Sequence, residues 1–342
     1  APPTFNIALY DEALFCDSLV ATLSDGGIRT PDSELGTEDE QAGSTLSEAQ
    51  SRFPVTSEEE MRGFEFALGA DNAGVRTALE RRLTEAGRWG PEFDEVFGSP
   101  EITYARIAEA IGAYEDSQVL TDTPWRAYVE GDNGAITEAA KRGALLFFRT
   151  VDDGGFDCAS CHAGDFFTDE SFHAVAAPQV GRGKGDGLTG TNDHGRARET
   201  GDRNDRFSFR TPTLLNVTVT GPYFHSGAYE DLTEVVRHHL DPNAALSRFY
   251  PARVPMADSS DFERNTQELV DFLEVSGHGI DFFRNPIDAT ELEVAEVVTF
   301  LWTLTDPCAT DRECLVPWIA DPDRDDVDGS LLVAIDEEGR PL

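Results

Sequence analysis

Apolar residues recur at helical spacing along most of this chain and at strand spacing almost nowhere. The first helical run is predicted from Ser57, where Glu60 completes a capping-box signature ahead of Met61, Phe64 and Leu68. Further helices are predicted at about 73–87, 102–116, 136–148, 230–240, 262–275 and 289–305. The helix from 102 carries Ile107, Ile111 and Tyr114 on one face. The last holds Val294, Val298 and Leu301 in register and stops before Pro307. Polar, Gly- and Pro-rich segments separate these runs. Residues 1–53 read as mostly loop, 117–135 as a connection between two helical domains, and 176–207 as a long flexible loop. Gly181 to Gly185 is not a phosphate loop, because it lacks G-K-[ST] and the flanking strand and helix signals. No internal repeat appears, and the expected fold class is all-α.

Length and composition narrow the picture. The 342 residues, 39% of them hydrophobic, can supply cores for two domains. No apolar run approaches the roughly 18 residues of a membrane span, and no signal-peptide pattern is visible. A net charge of −38, from 27 basic against 65 acidic side chains, argues against nucleic acid and against anionic lipid as partners. Lys141 and Lys184 are the only lysines. A Lys-poor acidic surface suits either solubility in high salt or an acidic face for a basic redox partner. A protein adapted to brine would unfold when desalted, which separates the two.

The chemistry concentrates in Cys158-Ala159-Ser160-Cys161-His162, the single C-x-x-C-H of the chain and a c-type haem attachment pattern. Two thiols three positions apart can each form a thioether to a haem vinyl group, and the adjacent imidazole is then held under the iron. A zinc site would need a second Cys or His pair. A redox dithiol would sit in an alternating strand and helix pattern, which is absent. Cys308 and Cys314 flank a short polar loop and read as a disulfide pair, leaving Cys16 over. Covalent haem and a disulfide both indicate an extracytoplasmic compartment. The acidic stretch from Asp321 to Gly329 fails the EF-hand template, with Asp326 at position six and Leu332 at position twelve, and reads as a solvated turn.

Three further segments carry a family likeness: Phe209-Arg210-Thr211-Pro212-Thr213-Leu214-Leu215-Asn216-Val217, Gly221-Pro222-Tyr223-Phe224-His225-Ser226-Gly227 and Leu232-Thr233-Glu234-Val235-Val236. With the upstream C-x-x-C-H they resemble the second half of bacterial di-haem cytochrome c peroxidases, a group that includes the methylamine-utilisation type. The resemblance implies two cytochrome-c-like helical domains with long irregular loops. The expected boundaries are 1–122 for the N-terminal peroxidase-type domain, 123–320 for the haem domain and 321–342 for an acidic tail. It makes the haem at Cys158, Cys161 and His162 the electron-entry haem, and places His239 at its distal ligand position. Met256 is the rival ligand. His238 points about 100° away around the helix. His225 is expected beside the haem, at a propionate.

The N-terminal half resembles the same family at Phe5-Asn6, Ala8-Leu9-Tyr10 and Leu14-Phe15-Cys16-Asp17, which match the segment following its first haem motif. That motif is expected upstream of residue 1, with the second haem. Gln50 and Glu60-Met61 match the family's distal peroxide pocket in type and spacing. The carboxylate would move a proton between the two peroxide oxygens and the amide would orient the bound peroxide. Glu60 also has the plain capping role given above. Cys16 stands where the family has a Trp between the haems, and Ser18-Leu19 replace a Gly-Arg. Calcium is a further expectation without a side-chain ligand, since Ala1 stands near the family's Asn and only carbonyls near Thr211 and Pro212 remain. The implied function is peroxide reduction in the periplasm, with electrons from a small cytochrome c or cupredoxin and with room for a homodimer. The alternatives are a mono-haem electron-transfer cytochrome and a methylamine-type enzyme acting on a partner protein. A missing distal Tyr weighs against the last.

Overall fold

A computed structural model describes residues 3–58, 60–63, 71–251, 254, 260–321 and 326–327. The described chain is helix-rich with little strand, and it divides into two compact units. One unit comprises residues 4–14, 20–119 and 311–342. The other comprises 1–3, 15–19 and 120–310.

The first unit holds α1 (Leu46–Gln50), α2 (Asn72–Ala86), α3 (Gly90–Phe97) and α4 (Tyr104–Asp116). Thr45, Asp71 and Thr103 cap α1, α2 and α4, each side chain accepting a backbone N–H of the first turn. Residues read as loop also form an antiparallel three-stranded sheet of β1 (Ala13–Leu14), β2 (Val20–Thr22) and β3 (Ile28–Arg29). Strands this short give almost no alternation to read. A Cβ on Gly112 would lie 2.9 Å from the Glu48 backbone, so the crossing of α4 over α1 requires that glycine.

The helix predicted from Ser57 does not start there. Residues 57, 58 and 60–63 form turns, in which Glu60 N–H donates to the Ser57 carbonyl at 3.3 Å and Met61 N–H to Pro54 at 3.1 Å. Gly63 is left-handed at φ 71°, which a right-handed helix cannot pass through. Phe64 and Leu68 lie outside the described residues. The capping box that does form is Thr290 with Glu293.

The second unit holds α5 (Pro124–Val129), α6 (Glu138–Phe148), α7 (Ala197–Thr200), α8 (Leu232–Leu240), α9 (Pro242–Arg248), α10 (Phe262–Ser276) and α11 (Glu291–Trp302); a last short helix, α12 (Arg312–Leu315), belongs to the first. Its centre is the crossing of α6 with α11. A Cβ on Gly143 would stand 1.9 Å from the Glu296 carbonyl oxygen, so no other residue permits that approach. Around the crossing Phe147, Phe156, Phe167, Val236, Leu240, Val297, Phe300 and Leu304 are buried in one core. Asn216, fully buried, ties this core to its edges. Its Nδ2 donates to the Leu120 carbonyl at 2.9 Å and its Oδ1 accepts from Asp306 N–H at 2.8 Å. Residues 176–207 are largely loop as read, and β4 (Phe172–His173) pairs with β5 (Phe209–Arg210) across them.

Candidate functional site

The C-x-x-C-H motif follows α6 on a short turn. Asp157, left-handed at φ 54°, turns the chain into a 3-10 segment over Cys158–Ser160. His162 N–H then donates to the Cys158 carbonyl at 3.0 Å. Both thiols are free. Cys158 packs on the α6–α11 core, and burial pushes its thiol up to about 12, so it stays protonated. Cys161 sits with Asp169 and His173, and His173 Nε2 lies 2.8 Å from Asp169 Oδ2.

The His162 ring is oriented by backbone. Its Nδ1 lies 3.1 Å from the Phe167 carbonyl and therefore donates to it, which leaves Nε2 with the lone pair. Burial, reinforced by the neighbouring His239, holds the imidazole down at about 4, so it is neutral near pH 7. A neutral imidazole with Nδ1 anchored on a carbonyl is the form that binds iron.

The two consecutive histidines of α8 are distinguished by their partners. His238 is 0% exposed and both nitrogens are engaged. Its Nε2 donates to the Val175 carbonyl at 2.8 Å, so Nδ1 accepts from Tyr229 Oη at 2.9 Å. Burial pushes this ring down to about 3. It is a structural pin. His239 has one nitrogen engaged among the described residues, its Nδ1 donating to the Val235 carbonyl one turn back at 2.9 Å. Phe224 stacks on its ring at 5.5 Å and 16°. The structure thus brings His162 and His239 together, each with Nδ1 tethered and each neutral through burial. Met256 lies outside the described residues.

His225 lies flat on Phe209, with ring centroids 3.6 Å apart, and its buried Nδ1 has no partner among the described residues. The Thr211 carbonyl, considered for calcium, already accepts Thr168 Oγ1 at 2.7 Å. Arg210 holds the 15–19 segment, its N–H donating to the Cys16 carbonyl at 2.7 Å and its Nε to that of Phe15 at 3.2 Å. Cys16 itself is exposed with a free thiol, whereas Cys308 and Cys314 are disulfide-bonded.

In the other unit, Gln50 ends α1 at 5% exposure, and its buried Oε1 has no partner among the described residues. Glu60 is exposed, and Met61 is 71% exposed. Behind Gln50 runs a buried ionic network that the sequence did not suggest. Arg52 reaches Asp39 at 2.6 Å and Asp32 at 3.1 Å, and Arg76 pairs with Asp32. Phe224, Tyr229 and the Phe167 carbonyl were likewise missed as supports of the histidines. The signal available was that the first two stand within and just after the Tyr-Phe-His segment.

A family model described as di-haem cytochrome c peroxidase matches residues 1–134. Methylamine utilization protein MauG of Methylophilus methylotrophus is 30% identical over 197 residues, 57% of this chain and 51% of that protein. Cytochrome c551 peroxidase of Nitrosomonas europaea is 29% identical over 164 residues, covering 48% of this chain and 46% of that protein. The chain thus spans about half the length of the curated relatives it matches. Among solved structures, a MauG-like protein associated with microbial copper homeostasis superposes at a TM-score of 0.56 with 24% identity, over 90% of this chain and 83% of that one. The diheme peroxidase BthA of Burkholderia thailandensis gives a TM-score of 0.52 with 22% identity, over 86% of this chain and 66% of that one. These two show the fold.

Proposed function

We propose, starting from the kinship of this chain with the di-haem cytochrome c peroxidases and MauG proteins, that it is a haem c oxidoreductase reducing hydrogen peroxide with electrons from a small redox protein. The observation that carries the reading is the pair of neutral imidazoles, His162 and His239, each with Nδ1 tethered to a backbone carbonyl, beside two reduced thiols. This donor set fits a covalently held haem. Cys158 and Cys161 would form the thioethers, His162 would be the proximal ligand and His239 the distal one. Haem bound there supplies one-electron redox chemistry, and bis-imidazole ligation sets a lower potential than a His/Met pair.

The chain's own residues then have separate tasks. The Phe167 carbonyl fixes the His162 tautomer, and α8 with Phe224 fixes His239. Gln50 supplies an amide whose oxygen has no partner among the described residues, as expected of a group that faces a substrate. Glu60 supplies a carboxylate for moving a proton between peroxide oxygens. The peroxide-reducing haem is a second one, for which residues 1–342 carry no attachment motif. Covalent haem and the disulfide would both suit an oxidising compartment such as the periplasm. The surface position of Glu60 favours one competing reading, a mono-haem electron-transfer cytochrome.

The test is expression with export and haem maturation, followed by denaturation, acid-acetone washing and a pyridine haemochrome assay. Retained colour and peroxide turnover with a reduced cytochrome or cupredoxin are expected. A colourless washed protein would overturn the haem assignment, and a coloured protein inert to peroxide would establish the cytochrome reading.

A further inference from the structure

In a chain of net charge −38, residues 180–210 hold seven basic side chains against five acidic ones. This segment and α10 line a cavity of about 350 Å³ bounded by Leu188, His194, Asp202, Arg203, Arg206 and Glu268. The size lies in the range of small-molecule sites. None of these residues has a part in the function proposed above.

The cavity's polar lining sets two guanidiniums, Arg203 and Arg206, and the His194 imidazole beside two carboxylates, Glu268 and Asp202, the latter accepting the Asn204 N–H at 2.8 Å. Arg206 Nη2 lies 2.7 Å from His194 Nε2 and also pairs with Glu268 Oε1. The same nitrogen lies 3.2 Å from Glu268 Oε1, so the imidazole closes a three-membered cluster with the Arg206–Glu268 pair. Burial and the adjacent Arg206 hold this imidazole neutral. Glu268 is neutralised in place, since Arg206 pairs with Oε1 and Asn192 Nδ2 donates to Oε2 at 2.9 Å. Phe207 and Phe272 flank the Arg206 guanidinium at 5.2 and 5.4 Å. Arg206 is therefore rigid, yet its buried Nε has no partner among the described residues. Arg203, exposed at the rim, adds a second guanidinium with no pairing for its side chain among the described residues.

We propose that this cavity binds a small organic oxyanion, a carboxylate or phosphate ester, between Arg203 and Arg206. A planar guanidinium held by two aromatic rings meets two oxyanion oxygens at little entropic cost. The cavity exceeds what an inorganic ion fills, which is why the ligand is placed in the organic class.

The test is calorimetric titration of the whole protein with succinate, glycerol 3-phosphate and inorganic phosphate, at constant ionic strength in chloride. Saturable binding of succinate or glycerol 3-phosphate, at least tenfold tighter than inorganic phosphate, is expected. Arg203→Glu leaves the Arg206–Glu268–His194 cluster untouched and should weaken binding at least tenfold without moving the melting temperature. Arg206→Lys keeps the charge, loses the fork and should weaken it as well. Absence of saturable binding by all three probes, or unchanged binding in Arg203→Glu, would overturn the proposal. Binding of inorganic phosphate alone would overturn the organic class.

Discussion

The surroundings of His162 and of Gln50 make opposite kinds of site. At His162 every support is backbone or a ring within the same unit: the Phe167 carbonyl, the Val235 carbonyl one turn before His239, and the Phe224 face. At Gln50 the amide is buried with an unsatisfied oxygen, while its proposed partner Glu60 lies on the surface behind a left-handed Gly63. Side chains tethered to their own backbone assemble a site locally. Side chains on separate turns do not, and the buried one carries a desolvation cost.

The comparison breaks most readily at the motif. Cys158→Ser with Cys161→Ser should abolish covalent haem entirely, read as loss of haem staining on a denaturing gel, and a retained band would remove the first site from the comparison. Glu60→Gln is expected to lower peroxide turnover by about 10²–10⁴-fold if its carboxylate transfers the proton. An unchanged rate would leave Gln50 alone and favour the cytochrome reading.

His239→Met and His238→Leu sharpen the first site. The methionine variant should raise the haem potential, since thioether ligation favours the reduced iron. His238→Leu should leave the haem spectrum alone and cost roughly 2–4 kcal/mol, because Tyr229 Oη and the Val175 carbonyl lose their partner in the interior. A spectral change in the second variant and none in the first would exchange the two roles.

Gln50→Leu sharpens the second. Removing a buried orphan oxygen should raise stability by about 1 kcal/mol in denaturant titration while lowering turnover. A pH effect arises in the same unit. Glu115 is 7% exposed, and burial together with Asp116 raises its carboxyl to about 7. The folded state therefore holds a proton that the unfolded state, near 4.5, has already released. The resulting stability is complete below about pH 4.5 and is lost as pH rises through about 7, on the order of 2 kcal/mol. Glu115→Gln should flatten the melting temperature over that window relative to the parent, and parallel pH profiles would show that the carboxyl is ionised in the fold.

Much of the helical frame was legible because its signals are local. The predicted 73–87, 102–116 and 262–275 appear as Asn72–Ala86, Tyr104–Asp116 and Phe262–Ser276, each set by apolar periodicity over three or more turns. The short α3 and α9 and the three-stranded sheet were not legible, since elements of two to eight residues offer too few positions to show a period. Ser57 with Glu60 failed as a helix start because a capping box needs a helix to cap, and Gly63 turns the chain away.

By itself the sequence determined the haem-type motif, the helix-rich class and the acidic character, all properties of residue identity and near-neighbour spacing. Only the tertiary structure decided which of two adjacent histidines has a nitrogen to offer. That choice rests on Val175, Tyr229 and Phe224, partners remote in sequence or across a turn, whose positions are set by packing. It also decided that Gln50 is buried and Glu60 is not, because burial belongs to the folded neighbourhood and not to the residue.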